Sequence, residues 1–219
     1  MRLCYNNATY CLEMLKSNKD NFSDNRFSEI QETIKNIIKQ DGNEYCTMES
    51  IYNRYLDFEE ESEYNGQKKI DIKKVNSVIG YFASYVNPLY KVKLMKLLWY
   101  ADSLYYKYFN KSITGLVYQH LPLGAVPIAC NEILNLPSIR VEEEYSNEYV
   151  MYRIYPNMQI NISDFTLDEL EVLQRVASYF KDYKTKDIVE YMHNEKAYTE
   201  TNPNDLISYN YASFLSVNK

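Results

Sequence analysis

Apolar residues recur at helical spacing along most of the chain, and the breaks between them divide it into short elements. Phe27, Ile30, Ile34, Ile37 and Ile38 fall on one face of a helix that Ser23 can cap and that ends near Gly42. Thr47 is placed to cap a shorter helix carrying Ile51, Tyr52, Tyr55 and Leu56. The stretch from Asp57 to Gly66 mixes acidic and turn residues and reads as a loop. Asp71 then opens a helix with Val75, Val78, Ile79, Phe82 and Val86 inward, stopped by Asn87-Pro88. The clearest pattern lies between Tyr90 and Phe109. Leu94, Leu97, Leu98, Ala101, Leu104, Tyr105 and Tyr108 repeat there over about five turns, a core-facing stripe with Trp99 beside it.

From Ser112 the segments become short and β-prone. Ile113 to His120 reads as a strand, Leu121 to Pro127 as a turn, and Ile128 to Leu134 as a helix. Ile139 to Glu142 and Tyr149 to Tyr155 are suited to a hairpin around Ser146-Asn147. Thr166 and Glu169 make a capping box, with Phe165 and Leu170 placed for a hydrophobic staple, and Leu170, Leu173, Val176, Ala177 and Phe180 inward. Thr185 caps a further helix with Ile188, Val189 and Met192 inward, and Tyr209 to Val217 reads as a last short helix. Five glycines and six prolines are few for 219 residues and favour helices over a turn-rich β fold. The expected fold is mainly α (α+β), a compact helical domain with a small β-sheet or hairpin behind a helical N-terminal extension.

Composition changes this picture in one respect, because the chain carries 24 tyrosines. An AT-rich coding sequence explains such a bias, and so does an interface, where tyrosine is enriched. The net charge is −6 and no block of Lys and Arg stands out. Lys91, Lys93, Lys96, Lys107 and Lys111 lie along one amphipathic helix and read as its solvated face. Nucleic acid is therefore not expected as a partner of this chain alone. Among Cys4, Cys11, Cys46 and Cys130 there is no C-x-x-C pair. On one helix Cys4 and Cys11 would stand about 10 Å apart along the axis, too far for a disulfide. Reduced thiols, a Met1–Tyr5 start without the apolar core of a signal peptide, and no apolar run long enough to cross a bilayer point to the cytoplasm and away from a membrane.

Motifs of catalysis are missing. The chain has no G-x-G-x-x-G, no Walker-type phosphate loop and no H-E-x-x-H. His193-Asn194-Glu195 has the H-x-E form of zinc deaminases without their P-C-x-x-C partner, so a helix-end histidine is the ordinary explanation. His120 and Cys130 lack a third orienting group for nucleophilic chemistry. Glu142, Glu143 and Glu144 read as a solvated acidic edge. No metal, cofactor or catalytic activity is expected, and a small hydrolase using His120 and Cys130 or His193 stands as a reading from another class.

Three motifs in order then carry a resemblance. The segment from Lys93 to Asp102, Lys-Leu-Met-Lys-Leu-Leu-Trp-Tyr-Ala-Asp, resembles the signature helix K-L-x-K-L-L-x-Y-A-[DQ] of the Panacea (SocA-like) antitoxin domain family. Ser112 to Pro127 resembles that family's strand and Y-G-P-V-P turn, departing to Leu123-Gly124-Ala125-Val126-Pro127. His193 to Thr201 and Ile207 to Ala212 resemble its closing motifs. The resemblance covers about residues 86 to 219 and sets a boundary between 1–85 and 86–219. Residues 1–85 are similar to the helical segment that, in larger relatives, follows a zinc-ribbon and helix-turn-helix region, and contain neither DNA-binding part.

The resemblance implies a mainly helical domain with a small sheet that neutralises a cognate, often translation-inhibiting, toxin by direct binding. Relatives with adaptor or phage-associated roles imply an alternative, a proteolytic adaptor delivering a partner to a protease or a phage-encoded accessory binding protein. An acidic, Tyr-rich surface suits a basic enzyme as partner, and a homo-oligomer is compatible with the same sequence. The candidate partner-binding residues are Tyr118, His120, Leu121, Pro122, Leu123 and Val126, on a Gly/Pro turn that a core has less need of. The other reading of this stretch is that it only joins strand to helix.

Overall fold

A computed structural model of the chain describes residues 8–145 and 150–217. Cys4, Tyr149 and the expected Ser146-Asn147 turn lie outside the described residues, as do the side chains of Ile37, Ile38 and Cys46. By contacts the chain divides into Met1–Glu49 and Ser50–Lys219. In the first unit, helix α1 (Ala8–Ser17) and the first part of helix α2 (Asp24–Arg54) bury Leu15 and Ile34 beside Leu12, Phe27 and Ile30. The expected stop at Gly42 and the separate Thr47-capped helix require correction, since α2 continues through both positions to Arg54. One glycine costs a helix about 1 kcal/mol relative to alanine, too little to end it alone.

The second unit continues with α3 (Ile72–Tyr85), β1 (Leu89–Tyr90), α4 (Lys91–Phe109), β2 (Tyr118–Leu121), β3 (Gly124–Pro127), β4 (Ile139–Tyr145), β5 (Val150–Pro156), α5 (Leu167–Phe180), α6 (Thr185–His193), α7 (Lys196–Thr199) and a 3-10 turn at Tyr209–Phe214. Asp71 caps α3 by accepting from the Lys74 amide at 2.9 Å, and Val75, Val78, Ile79, Phe82 and Val86 are buried as their spacing requires. The centre of the unit is α4. It packs against α3, α5, α6, β3, β5 and the Tyr209–Phe214 turn, and every residue from Lys93 to Leu104 is buried. The expected stripe is therefore only part of the story. Trp99 is fully buried, Lys93 and Lys96 are core residues and not a solvated face, and Tyr108 at the emerging end of the helix is exposed.

The sheet has the antiparallel order β1-β5-β4. β4 and β5 pair over their whole length, from Ile139↔Pro156 to Tyr145↔Val150, while β1 reaches only Ile154 and Arg153 before the chain turns into α4. β2 and β3 form a separate hairpin, so five of the seven residues expected as a turn, Leu121 and Gly124–Pro127, are strand, while the expected Ile113–His120 strand begins only at Tyr118. Ile128 to Leu134 forms turns ending in the 3-10 segment Ile133–Asn135 instead of a helix, because seven residues barely exceed the helix nucleus. The Thr166–Glu169 capping box forms, with Phe165 buried and Leu170 half-buried. Thr185 is the first residue of α6 and Lys184 occupies the cap position, while the tail closes as a 3-10 turn and not an α-helix.

Leu97 lies in the middle of α4 with no exposed surface. Leu97→Ala is expected to lower the free energy of unfolding by about 2–5 kcal/mol, measured by urea denaturation. Leu167→Ala, at a side chain 85% exposed, is expected to stay within about 0.5 kcal/mol of the wild type. Equal midpoints for the two variants would contradict the placement of α4.

Candidate partner-binding face

The hairpin sorts its residues by strand alternation. In β2, Tyr118 and His120 point inward while Gln119 and Leu121 are half-buried on the other side. The register pairs Tyr118↔Pro127, Gln119↔Val126, His120↔Ala125 and Leu121↔Gly124, which leaves Pro122 and Leu123 as the tip. The second edge of β2 is occupied by the chain near the C-terminus, where the His120 amide donates to Asp205 O at 2.9 Å and the Ile207 amide donates to Tyr118 O at 2.8 Å.

A buried polar network fixes the hairpin onto α4. The Tyr118 hydroxyl donates to Asp102 Oδ2 at 2.8 Å, and the same carboxylate accepts from the Thr114 amide at 2.9 Å and the Thr114 hydroxyl at 2.5 Å. Burial pushes the Asp102 pKa up, opposed by these hydrogen bonds and by the charge of Lys68, whose ammonium donates to the Ile113 carbonyl. Six residues earlier on α4, Lys96 Nζ donates to Ala125 O of β3 at 2.7 Å. Gly124 makes room for it. A Cβ there would stand 2.8 Å from both Lys96 Cε and Met192 Cγ, and its φ of +102° favours glycine. Lys93 Nζ likewise donates to Tyr183 O at 2.7 Å and Lys181 O at 3.1 Å.

The expected presentation of Tyr118 to a partner is therefore corrected. Tyr118 has no exposed surface and packs edge-on against Trp99 with ring centroids 5.1 Å apart. His120 is also buried; its Nδ1 meets Thr201 O at 2.7 Å and its ring lies 3.9 Å from that of Tyr198. His193 stacks on Tyr198 at 4.3 Å, so both histidines of the chain serve one aromatic stack. Leu121 and Val126 are half-buried, and the surface of the hairpin is its tip, Pro122 and Leu123.

Beside that tip is a groove of about 440 Å³ that sequence reasoning did not find. Leu123 lines it together with Val92 of α4, Val150 and Tyr152 of β5, and Lys186 and Val189 of α6. Leu123 is 51% exposed, Val150 42% and Tyr152 40%. Lys91 lies along the groove with its ammonium 5.6 Å from the Tyr152 ring centroid and donating to Asn131 Oδ1 at 2.8 Å. The signal in the sequence was the run Val150-Met151-Tyr152, which lacks the polar face of an ordinary half-exposed strand.

Among the described residues no group of three or more His, Cys, Asp or Glu side chains is placed to hold a metal ion, and no helix is long and apolar enough to cross a membrane. Residues 94–198 match the family model described as antitoxin SocA-like, Panacea domain. No curated protein and no solved structure matches the chain.

Two measurements test the buried network. Tyr118→Ala removes a fully buried ring and leaves Asp102 short of a donor, so a loss of about 3–5 kcal/mol is expected in urea denaturation, and an unchanged melting temperature would contradict it. Lys96 gives a pH signature. Burial lowers its pKa from 10.5 to about 7, so the folded protein releases a proton near neutrality that the unfolded chain holds until about pH 10. The unfolded state then binds more protons, and stability rises with pH across that window. Lys96→Met removes this rise. Relative to the wild type, the variant should lose on the order of a few kcal/mol between pH 6.5 and pH 10, because each tenfold change in proton affinity is worth about 1.4 kcal/mol. Parallel pH profiles would show that Lys96 keeps its proton.

Proposed function

We propose, from the match of residues 94–198 to the SocA-like Panacea antitoxin family, that this chain neutralises a toxin by direct, stoichiometric contact at the Pro122–Leu123 tip and the groove beside it. The family match carries the reading, because it spans the hairpin, the β4–β5 pair and α6 together. The face has the composition of a recognition site. Apolar side chains sit on strands and a helix whose rigidity lowers the entropic cost of binding. Leu121 and Val126 support the tip from beneath, and Tyr118 and His120 act through the fold by holding the hairpin in place. In this reading the chain is not an enzyme, its compartment is the cytoplasm, and the toxin is one that inhibits translation.

Co-expression tests this directly. One of the open reading frames adjacent to the gene is expected to arrest growth when induced alone, and this protein is expected to restore growth while forming a complex of fixed stoichiometry with an undegraded toxin. Leu123→Asp should weaken that complex by at least about thirtyfold, the scale of a central interface anchor, and leave the melting temperature within a degree or two. Rescue that instead removes the toxin protein over time would identify delivery to a protease. Rescue by Leu123→Asp equal to the wild type would move the interface elsewhere.

A further inference from the structure

The groove is not only apolar; it is bordered by an open sheet edge. β5 is paired with β4 at all seven positions from Val150 to Pro156, but on its other side β1 covers only Arg153 and Ile154. Continuing the β1 register would bring Lys91 opposite Tyr152, yet at Lys91 the chain turns into α4. The β5 edge at Val150, Met151 and Tyr152 therefore has no strand beside it, and the groove runs along that edge. Exposed edges are ordinarily blunted by charge, by proline or by a covering segment. The outer edge strand of this sheet follows that rule, since β4 carries Arg140 and Glu142 to Glu144. The second hairpin follows it too. β2 is covered by the chain at Asn204–Ile207, and the Ala125 carbonyl of β3 is occupied by Lys96. Val150, Met151 and Tyr152 carry no charge or proline of their own and no strand pairs with them on this side; only the side chains of Lys91, Val92, Lys186 and Val189 line the groove there.

The geometry points to strand addition. The β5 edge accepts an extended segment of the partner protein as a further strand, its alternate apolar side chains entering the groove and an acidic side chain meeting Lys186. This rests on the proposed neutralising role only in taking the occupant to come from a partner protein. Main-chain hydrogen bonds supply affinity in this mode and side-chain pockets supply selectivity. A volume of about 440 Å³ lies within the range of sites that hold several side chains. Charge selects the occupant. On a protein of net charge −6 the groove is lined by Lys91 and Lys186, and Lys186 is exposed and in no ion pair among the described residues. A second copy of this chain does not fit as well, because two-fold pairing through β5 would bring the same lysines together across the axis.

A displayed library of random twelve-residue peptides, selected on the full chain, tests this without knowledge of the toxin. The enriched peptides are expected to alternate apolar residues with at least one Asp or Glu, and to slow amide hydrogen exchange at residues 150–152. N-methylation of their alternate backbone amides should reduce affinity at least tenfold. Lys186→Glu should do the same, with affinity regained when the acidic residue of the peptide is changed to Lys. Enrichment of proline-rich or helical sequences, protection confined to other elements, indifference to N-methylation, an empty selection, or dimerisation through β5 at micromolar concentration would each overturn strand addition. Growth rescue is a separate readout. Rescue without peptide binding at β5 defeats this inference alone, whereas peptide binding without any toxin neutralised defeats the antitoxin reading alone.

Discussion

Lys93, Lys96 and Asp102 lie on a helix that is covered on every side, so the surrounding chain must supply each of them with partners. A buried unpaired charge costs several kcal/mol, more than the margin of a typical domain allows for more than one such group. The partners come from distant segments. Ala125 O answers Lys96, the carbonyls of Lys181 and Tyr183 answer Lys93, and Thr114 and Tyr118 answer Asp102. Together these bonds tie α4 to the loop before β2, to the β2–β3 hairpin and to the α5–α6 connection. The polar groups thereby fix which elements surround the helix, while the leucines between them provide the area buried.

Tyrosine does similar work at larger scale. Tyr118 and Tyr209 pack with Trp99 at 5.1 and 5.6 Å between centroids, and Tyr100 packs on Phe180 at 4.5 Å. Their hydroxyls end on Asp102, Leu116 O and Glu195. A buried phenol needs a partner for its hydroxyl, and finding one orients the ring. Part of the tyrosine excess is thus a core built from rings anchored at their tips. This also explains why tyrosine content alone was a poor guide to the interface, since the most conspicuous candidate, Tyr118, is used inside.

Periodicity revealed α3 and α5 because their buried faces follow the helical repeat, and it revealed α4 through the spacing of its leucines although that helix is buried all round; Asp71 and Thr166 marked two starts through local hydrogen bonds. What it could not reveal depended on distant residues. A lysine at a helical position looks the same whether water or a carbonyl receives it, and the carbonyl that receives Lys96 lies 29 residues away. Gly42 looked like a stop because one residue was weighed without its helical neighbours. The turn at Pro122 and Leu123 was legible from its proline and glycine, but not the hairpin that turns Tyr118 and His120 inward beneath it. The groove beside it was not, because Val92, Val150 and Val189 lie on three separate elements whose meeting is a property of the fold.

The hairpin separates two demands that usually conflict. Its inward residues, Tyr118, His120 and Gly124, contact Asp102, Thr201 and Lys96 and tolerate little change. Its tip contributes exposed surface and no buried hydrogen bond, so a different residue at Leu123 alters the outer shape without disturbing α4. The side chain of Leu123 points to solvent and makes none of the buried hydrogen bonds, so the outer surface of the tip can change while the network beneath it is kept. The same separation applies at β5, where Ile154 is buried beside β1 and Val150 and Tyr152 reach the surface within one strand. Both proposed recognition elements are in this way cantilevered from buried anchors, an arrangement that combines a fixed backbone with exposed side chains.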